Sequence, residues 1–393
     1  MSNSQKEFSF NISTKIEFGK GIVNKKLVNY LESINVKRLL IVSDNGLKNT
    51  AILQNLIELL VDNGLDVYQF TDVEPNPKSV SVTLGEEKYI QNDCECIIGF
   101  GGGSSIDVAK AINVVVNNKG NIFDYRRGGK EVIGPLSTLV IIPTTAGTGS
   151  EVTNVSVISS LEDKRKYVIA SDYLRPTITF LDPTLLLSLP RNQLAFCGLD
   201  ALVHAIEAYT NRKSQPISDG LALDAINMIV SDLPIAYSKK DDLESLSNVM
   251  LASTMAGMAF SESGVALVHS ISHTVSSHFN VPHGLANAVI LPYVVEFNLL
   301  SEPEKYLKIF DIFEEKHNLI YSNGNHTDLP ETIRNFTKKL GIPPNFSYLN
   351  ITLSDEKINQ LCLDTMDDKG TFPKNSRKAE FNDVKNLIVK LFE

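Results

Sequence analysis

Five of the seven histidines stand between residues 204 and 283, in stretches that are otherwise apolar. Asp200 and His204 are spaced i, i+4, so on a helix both side chains share one face. His269 and His273 repeat that spacing further along. His283 follows a proline and precedes Gly284, a loop setting that can aim an imidazole back at the helices. A lone histidine on an apolar helix face is usually a satisfied core residue. Two i, i+4 pairs in otherwise apolar helices, with another imidazole nearby, argue instead for a divalent-metal site. One carboxylate and three imidazoles from three segments would hold the ion and leave room for a substrate oxygen. His278 is expected at the surface or behind the site, and His317 and His326, in polar loop-like stretches, are expected to be incidental.

A second chemistry-bearing stretch is Gly99-Phe-Gly-Gly-Gly-Ser-Ser-Ile-Asp107, where an apolar strand gives way to a helix. Glycines there let backbone N–H groups approach a pyrophosphate, and the helix N-terminus adds its partial positive charge. The G-x-G-x-x-G spelling is absent, as is the acidic residue that usually lies about 20 residues downstream. Asp44, at the end of the first buried strand, could accept both ribose hydroxyls of an adenosine and repel the extra phosphate of NADP. It precedes the glycines, so the nucleotide would lie across a differently ordered sheet. Capping the segment after Asn45 is an equally good reading of Asp44. Pro143-Thr-Thr-Ala-Gly-Thr-Gly-Ser-Glu151 is a third small-residue loop after a strand, suited to close packing on a planar ring or a phosphate.

The elements that must position these groups alternate in the first half. Strands are predicted at 38–43, 66–70, 94–100, 137–142 and 177–181, and helices at 51–63, 79–91 and 104–116. This β-α-β-α order implies a mostly parallel sheet with helices on both faces. After Pro190 helical periodicity takes over, at 193–210, 219–233, 244–261 and 265–278. The boundary is expected near residues 183–190, giving an α/β dinucleotide-binding domain over 1–187 and an all-helical metal-binding domain over 188–393.

Composition narrows the function classes. A chain of 393 residues suits two domains, and 43% apolar with 21% charged residues is ordinary for a globular protein. The net charge of −9 comes without a basic block, which argues against a nucleic-acid partner. The N-terminal residues lack the basic and apolar regions of a secretory signal, and no apolar run approaches the roughly 20 residues of a membrane span. Cys94, Cys96, Cys197 and Cys362 are too scattered for a disulfide framework. A reducing cytoplasm is expected.

Five segments in order resemble the iron-containing (group III) alcohol dehydrogenases, over nearly all of the chain from about Lys15 onward. They are Gly101-Gly-Gly-Ser-Ser-Ile-Asp-Val-Ala-Lys110, Pro143-Thr-Thr-Ala-Gly-Thr-Gly-Ser-Glu-Val-Thr153, Gly198-Leu-Asp-Ala-Leu-Val-His-Ala-Ile-Glu-Ala-Tyr209, Leu267-Val-His-Ser-Ile-Ser-His273 and Pro282-His-Gly-Leu-Ala-Asn-Ala288. The resemblance implies a dehydroquinate synthase-like architecture, with catalysis in the cleft between an N-terminal dinucleotide-binding domain and a helical metal domain. It implies one divalent ion, Fe2+ with Zn2+ as the alternative, on Asp200, His204, His269 and His283. NAD(H) would be held by Asp44, Asn76, Gly102, Gly103, Ser104, Thr144, Thr145, Thr153 and Lys166. His273 would act as a proton relay or orienting group. The implied reaction interconverts a small primary alcohol or diol and its aldehyde, in a homodimer or larger homo-oligomer.

Two stretches depart from the family's commonest pattern. Ser261-Glu-Ser-Gly-Val-Ala-Leu267 lacks the usual small-residue spelling, and Phe372-Pro-Lys-Asn-Ser-Arg377 replaces a more common Asn-Pro-Arg. Alternatives within the fold are a zinc polyol dehydrogenase resembling glycerol dehydrogenase, and a reductase of phosphono- or sulfoacetaldehyde in which Lys374 or Arg377 grips the anionic tail. The fourth ligand, His204, points away from the former. A non-catalytic assembly protein would need neither ligand set.

Overall fold

The computed structural model describes residues 7–160, 165–317 and 326–393, and the side chains of His317 and His326 lie outside the described residues. Two units are distinguished, Ile12–Leu189 and Pro190–Glu393 joined by residues 7–11.

In the first unit the strands are β1 (Lys15–Phe18), β2 (Arg38–Asp44), β3 (Asp66–Val73), β4 (Cys96–Gly101), β5 (Thr138–Pro143), β6 (Val155–Ser159), β7 (Lys166–Ala170) and β8 (Ile178–Leu181). The helices are α1 (Ile22–Ser33), α2 (Ala51–Asp62), α3 (Ser79–Gln91) and α4 (Gly103–Asn117). Every residue of β4 and β8 is buried, as are the five central residues of β2. Runs without a polar face belong to strands covered on both sides, which is why they pair in parallel. The sheet order is β1-β8-β5-β4-β2-β3, with all pairs parallel.

From β2 the chain passes through α2 to β3 on one side and returns through α3 to β4 on the other. The strand order therefore reverses between β2 and β4, and ligands of open α/β sheets bind beyond the carboxyl ends at such a reversal. The separate ribbon β6–β7 is antiparallel. Neither it nor β1 and α1 was expected from the sequence. Cys94 lies in the turn before β4, its N–H donating to Tyr89 O at 3.0 Å, so the strand starts two residues later than expected.

The second unit is helical among the described residues: α5 (Arg191–Thr210), α6 (Pro216–Ser238), α7 (Leu243–Ser263), α8 (Leu267–Phe279), α9 (His283–Asn298), α10 (Pro303–His317), α11 (Leu329–Lys339), α12 (Asp355–Met366) and α13 (Phe381–Phe392). Helix α5 is buried without interruption from Gly198 to Thr210, and that stretch includes Asp200, His204 and Glu207 among its apolar residues. It packs against α6, α7 and α9. Among the described residues one helix, α6, is long and apolar enough to cross a membrane, and it packs on both α5 and α7.

Candidate metal centre and nucleotide cradle

On α5, Asp200 and His204 lie one turn apart in a fully buried stretch. His269 and His273 repeat the arrangement on α8. His283 is not in a loop as expected: it is the first residue of α9, directly after the N-cap Pro282. Its placement depends on Gly284. A Cβ there would stand 2.3 Å from the Phe196 carbonyl oxygen, so only glycine lets the start of α9 press onto the backbone of α5.

The result is a convergence on one carboxylate oxygen. Asp200 Oδ1 lies 3.8 Å from His283 Nε2, 3.9 Å from His269 Nε2 and 4.0 Å from His204 Nε2. The ligating atoms of Asp200, His269 and His283 are mutually within 4.8 Å. His204 joins them through Asp200 and by stacking on the His269 ring at 4.7 Å, with Phe260 on another ring contact at 4.3 Å. Bonds of about 2.0–2.1 Å would set ligand atoms about 3.4 Å apart around a tetrahedral ion, so the three imidazole nitrogens need to approach Asp200 Oδ1 by only about half an ångström.

The electrostatics fit a cation. Burial pushes the Asp200 carboxyl up and, with repulsion from His204 and His273, pushes His269 well down. A neutral imidazole with a free lone pair is the form that ligates metal. Asn287, fully buried on α9, donates from Nδ2 to Asp200 Oδ1 at 2.6 Å. The same nitrogen is 3.2 Å from both His269 Nε2 and His283 Nε2. Three acceptors thus share the two hydrogens of one amide, a shortage that a cation would relieve. The residues present fit a divalent ion.

Behind the ligands stands Glu207, which sequence reasoning missed. Its Oε2 meets His269 Nδ1 at 2.6 Å and accepts the Ala266 N–H at 2.8 Å, while Oε1 accepts the Val268 N–H at 2.6 Å. The carboxylate therefore ties the first turn of α8 to α5 and leaves His269 Nε2 facing the site. Burial pushes Glu207 up to about 7 against the pull of those backbone donors. Its spacing held the signal: Glu207 is i+7 from Asp200 and i+3 from His204, on the same helix face.

His273 stacks on His283 with ring centroids 5.4 Å apart and is 36% exposed. Its Nδ1 meets Asp368 Oδ2 at 2.9 Å. Asp368 is held in turn by the N–H groups of Gly370 and Thr371. Burial alone would raise the Asp368 carboxyl, but the His273 contact together with the Thr371 and Gly370 donors outweighs it and brings it down to about 2. His278 bridges Asp364 and Lys357 on α12, at 2.7 and 2.6 Å. Arg377 is spent elsewhere: its guanidinium lies 4.0 Å from the Phe297 ring centroid and donates to Phe297 O at 3.0 Å. The Lys374 side chain runs past Gly264, whose Cβ position it fills.

In the first unit the strand reversal explains how an acid that precedes the glycines can serve them. β2 and β4 are neighbours, with Val42 opposite Gly99, so Asp44 emerges beside the glycine-rich turn. Asp44 Oδ2 accepts the Ser105 hydroxyl at 3.2 Å, while Oδ1 accepts the N–H groups of Gly46 at 2.9 Å and Leu47 at 3.2 Å. Capping the following turn and facing the glycines are thus joint roles. Gly101 has φ +146°, and a Cβ there would lie 2.6 Å from Ser105 Oγ. No side chain caps the start of α4 after Gly102. Its first N–H groups, from Gly103 and Ser104 onward, are those that suit a phosphate.

β5 adjoins β4 with Pro143 opposite Gly101, and the Thr144 N–H donates to Gly101 O at 3.0 Å. Thr145 lies against Gly102, and Thr148 against Gly103. Thr153 is buried just before β6, and Lys166 opens β7. Asn76, at φ +55°, sits in the loop whose Pro77 O accepts the Ser159 N–H at 2.7 Å. Burial lowers the Lys166 ammonium while Asp107 opposes the shift.

Comparison with known proteins is consistent along the whole chain. Residues 13–183 match the model of iron-containing alcohol dehydrogenase, and residues 194–392 match the C-terminal model of the Fe-containing alcohol dehydrogenase family. The NAD-dependent methanol dehydrogenase of Bacillus methanolicus is 34% identical over 370 residues, covering 94% of this chain and 96% of the relative. The crystal structure of a 1,3-propanediol oxidoreductase superposes with a TM-score of 0.91 at 30% identity, covering 98% of this chain and 100% of that one. The sulfoacetaldehyde reductase of Bifidobacterium kashiwanohense, solved with NAD+, superposes with a TM-score of 0.89 at 26% identity, covering 99% of each chain.

Proposed function

The chain belongs to the iron-containing alcohol dehydrogenase family, and from that premise we propose that NAD(H) is its cofactor and that Asp200, His204, His269 and His283 hold a ferrous ion. It is a metal-dependent oxidoreductase that interconverts alcohols and aldehydes; the substrates proposed are small primary alcohols or diols. The observation that carries the metal assignment is the placement of three imidazole Nε2 atoms 3.8 to 4.0 Å from Asp200 Oδ1. Zinc normally outcompetes ferrous iron for such ligands, so iron is assigned from the family.

When bound, the ion supplies Lewis acidity toward a substrate oxygen, and the nicotinamide supplies the hydride donor or acceptor. The chain's own groups do the rest. Glu207 holds His269 in the tautomer that presents Nε2. Oxidation removes a hydride from the carbinol carbon and a proton from its oxygen. His273, tied to Asp368 through Nδ1, keeps Nε2 to take that proton and to return it in reduction. Asp44 accepts the adenosine ribose hydroxyls, and the amides of Gly102, Gly103 and Ser104 receive the pyrophosphate. Thr144, Thr145, Thr153, Lys166 and Asn76 complete the cradle. The four thiols are free and three of them are buried, which supports the reading of a reducing cytoplasm; a homo-oligomeric enzyme acting on small molecules is proposed from the family.

The test is to strip the protein with a chelator, refill it anaerobically with Fe2+ or Zn2+, and follow NADH consumption with a panel of short aldehydes. The expected result is activity restored by Fe2+ and turnover of neutral aldehydes. Folded protein that turns over no aldehyde with either metal would overturn the reading.

A further inference from the structure

Lys110 is fully buried in the middle of α4, and none of the roles assigned above falls to it. Its Nζ donates to Thr153 O at 2.8 Å, Thr153 Oγ1 at 3.0 Å and Val155 O at 2.9 Å. An ammonium has three hydrogens and no acceptor, so all its donors go to one short segment. One helical turn earlier, Asp107 Oδ2 accepts the Val157 N–H at 3.0 Å and Oδ1 accepts the Ser150 hydroxyl at 2.6 Å.

These contacts follow the alternation of a strand. Residues 153, 155, 157 and 159 point their backbone groups to one side of β6, and the opposite side pairs with β7. On the free side Lys110 takes the carbonyls of 153 and 155, Asp107 takes the N–H of 157, and Pro77 O takes the N–H of 159. Two side chains of α4, spaced i, i+3, therefore stand in for a neighbouring strand. A buried ammonium is costly to desolvate, and burial does push Lys110 down to about 8. A methionine would fill the space without that cost, so packing alone does not account for a lysine here. What the position needs is three donors aimed at one edge.

We infer that Lys110 is a positioning residue for the cofactor, one that latches the free edge of the β6–β7 ribbon so that Thr153 and Lys166 are presented at fixed positions. The inference rests on the reading of Thr153 and Lys166 as cofactor groups. The sheet order says which half of the nucleotide they serve. Asp44 lies at the end of β2, the glycine turn at the end of β4, and the loop leading to Thr153 at the end of β5, next in line. Moving away from the adenosine ribose along that row leads past the pyrophosphate to the nicotinamide half.

The test compares NADH with ADP-ribose, which keeps the adenosine and pyrophosphate but lacks the nicotinamide. Binding is measured on the metal-loaded enzyme, through NADH fluorescence and its displacement by ADP-ribose. Lys110→Met is expected to weaken NADH about tenfold while weakening ADP-ribose less than about threefold, the scale of a lost hydrogen-bond network to a charged group. Combined with Thr153→Ala the effects should be less than additive, because the two changes share the Thr153 Oγ1 contact while only Lys110→Met also frees the carbonyls of Thr153 and Val155. Equal weakening of both ligands, or unchanged binding of both, would overturn the latch. If Lys110→Met does not fold, Lys110→Gln, which keeps two donors, is judged by the same two criteria. The underlying reading fails separately: Thr153→Ala and Lys166→Ala would then leave NADH binding unchanged whatever Lys110 does.

Discussion

Glu207 Oε2 and His269 Nδ1 meet at 2.6 Å inside a helix pair where both side chains are at most 5% exposed. The same carboxylate accepts two backbone N–H groups at the start of α8. One residue thus does two jobs: it completes the N-terminal hydrogen bonding of a helix and sets the direction in which the metal-facing nitrogen points.

Replacing Glu207 by Gln keeps the volume but removes the charge and one acceptor. Metal affinity should fall about 10- to 100-fold, the usual effect of losing a carboxylate behind a ligating histidine. Competition with a chromogenic chelator measures it. Unchanged affinity in a folded variant would mean that Glu207 serves only the helix terminus.

Asp44→Gly separates the two roles of that carboxylate. Without it the preference for NAD over NADP should relax by about tenfold or more, since like-charge repulsion of the 2′-phosphate is lost. The turn should also lose about 1 kcal/mol, because the Gly46 and Leu47 N–H groups lose their acceptor. Steady-state kinetics with both cofactors and a thermal melt check the two effects independently. An unaltered preference would leave Asp44 as a cap alone.

How much of this was legible beforehand follows from the range of each signal. The α/β-then-helical class, the buried parallel strands and the i, i+4 spacing of Asp200/His204 and of His269/His273 are local patterns and are legible directly. The helical state of His283 was not, because Pro282-His-Gly284 reads as a loop until the Phe196 carbonyl is known to press against it. Glu207 sat on the readable face of α5, yet its worth depends on N–H groups of residues 266 and 268, some 60 positions away. The service of Asp44 to a later glycine turn likewise required the strand order, which periodicity does not carry. The β6–β7 ribbon escaped because its strands are short and its free edge is held by side chains of a helix.

Asp368→Asn should act on both turnover and acid stability. With the charge gone, His273 is no longer held in one tautomer, and kcat should fall about 10- to 100-fold while NADH binding holds. The carboxyl of Asp368 is depressed to about 2 in the folded protein against about 3.9 unfolded, so its contribution to stability is complete above about pH 4. It is lost as pH falls through 4 toward 2. The wild type should therefore exceed the variant by at most about 2.6 kcal/mol at neutral pH, converging at low pH. Denaturant titrations at several pH values test this, and a gap constant with pH would count against the ion pair.

Asn287 offers the sharpest test of the metal centre that does not depend on turnover. Its Nδ2 sits 2.6 Å from Asp200 Oδ1 and 3.2 Å from two ligand nitrogens, while its Oδ1 is buried without a hydrogen-bond partner. Asn287→Asp would set a second carboxylate against Asp200 and remove the only hydrogens shared by the three acceptors. The metal-free variant should lose about 2 kcal/mol or more to like-charge repulsion and unmet acceptors, which a divalent ion would reverse. The gap in Tm between metal-loaded and metal-free protein should therefore widen by several degrees over wild type, roughly 2–4 °C per kcal/mol. Asn287→Ala, which adds no charge, should lower the metal-free Tm with little widening. Calorimetry with and without Zn2+ distinguishes them, and equal gaps in all three proteins would mean that no cation sits among these ligands.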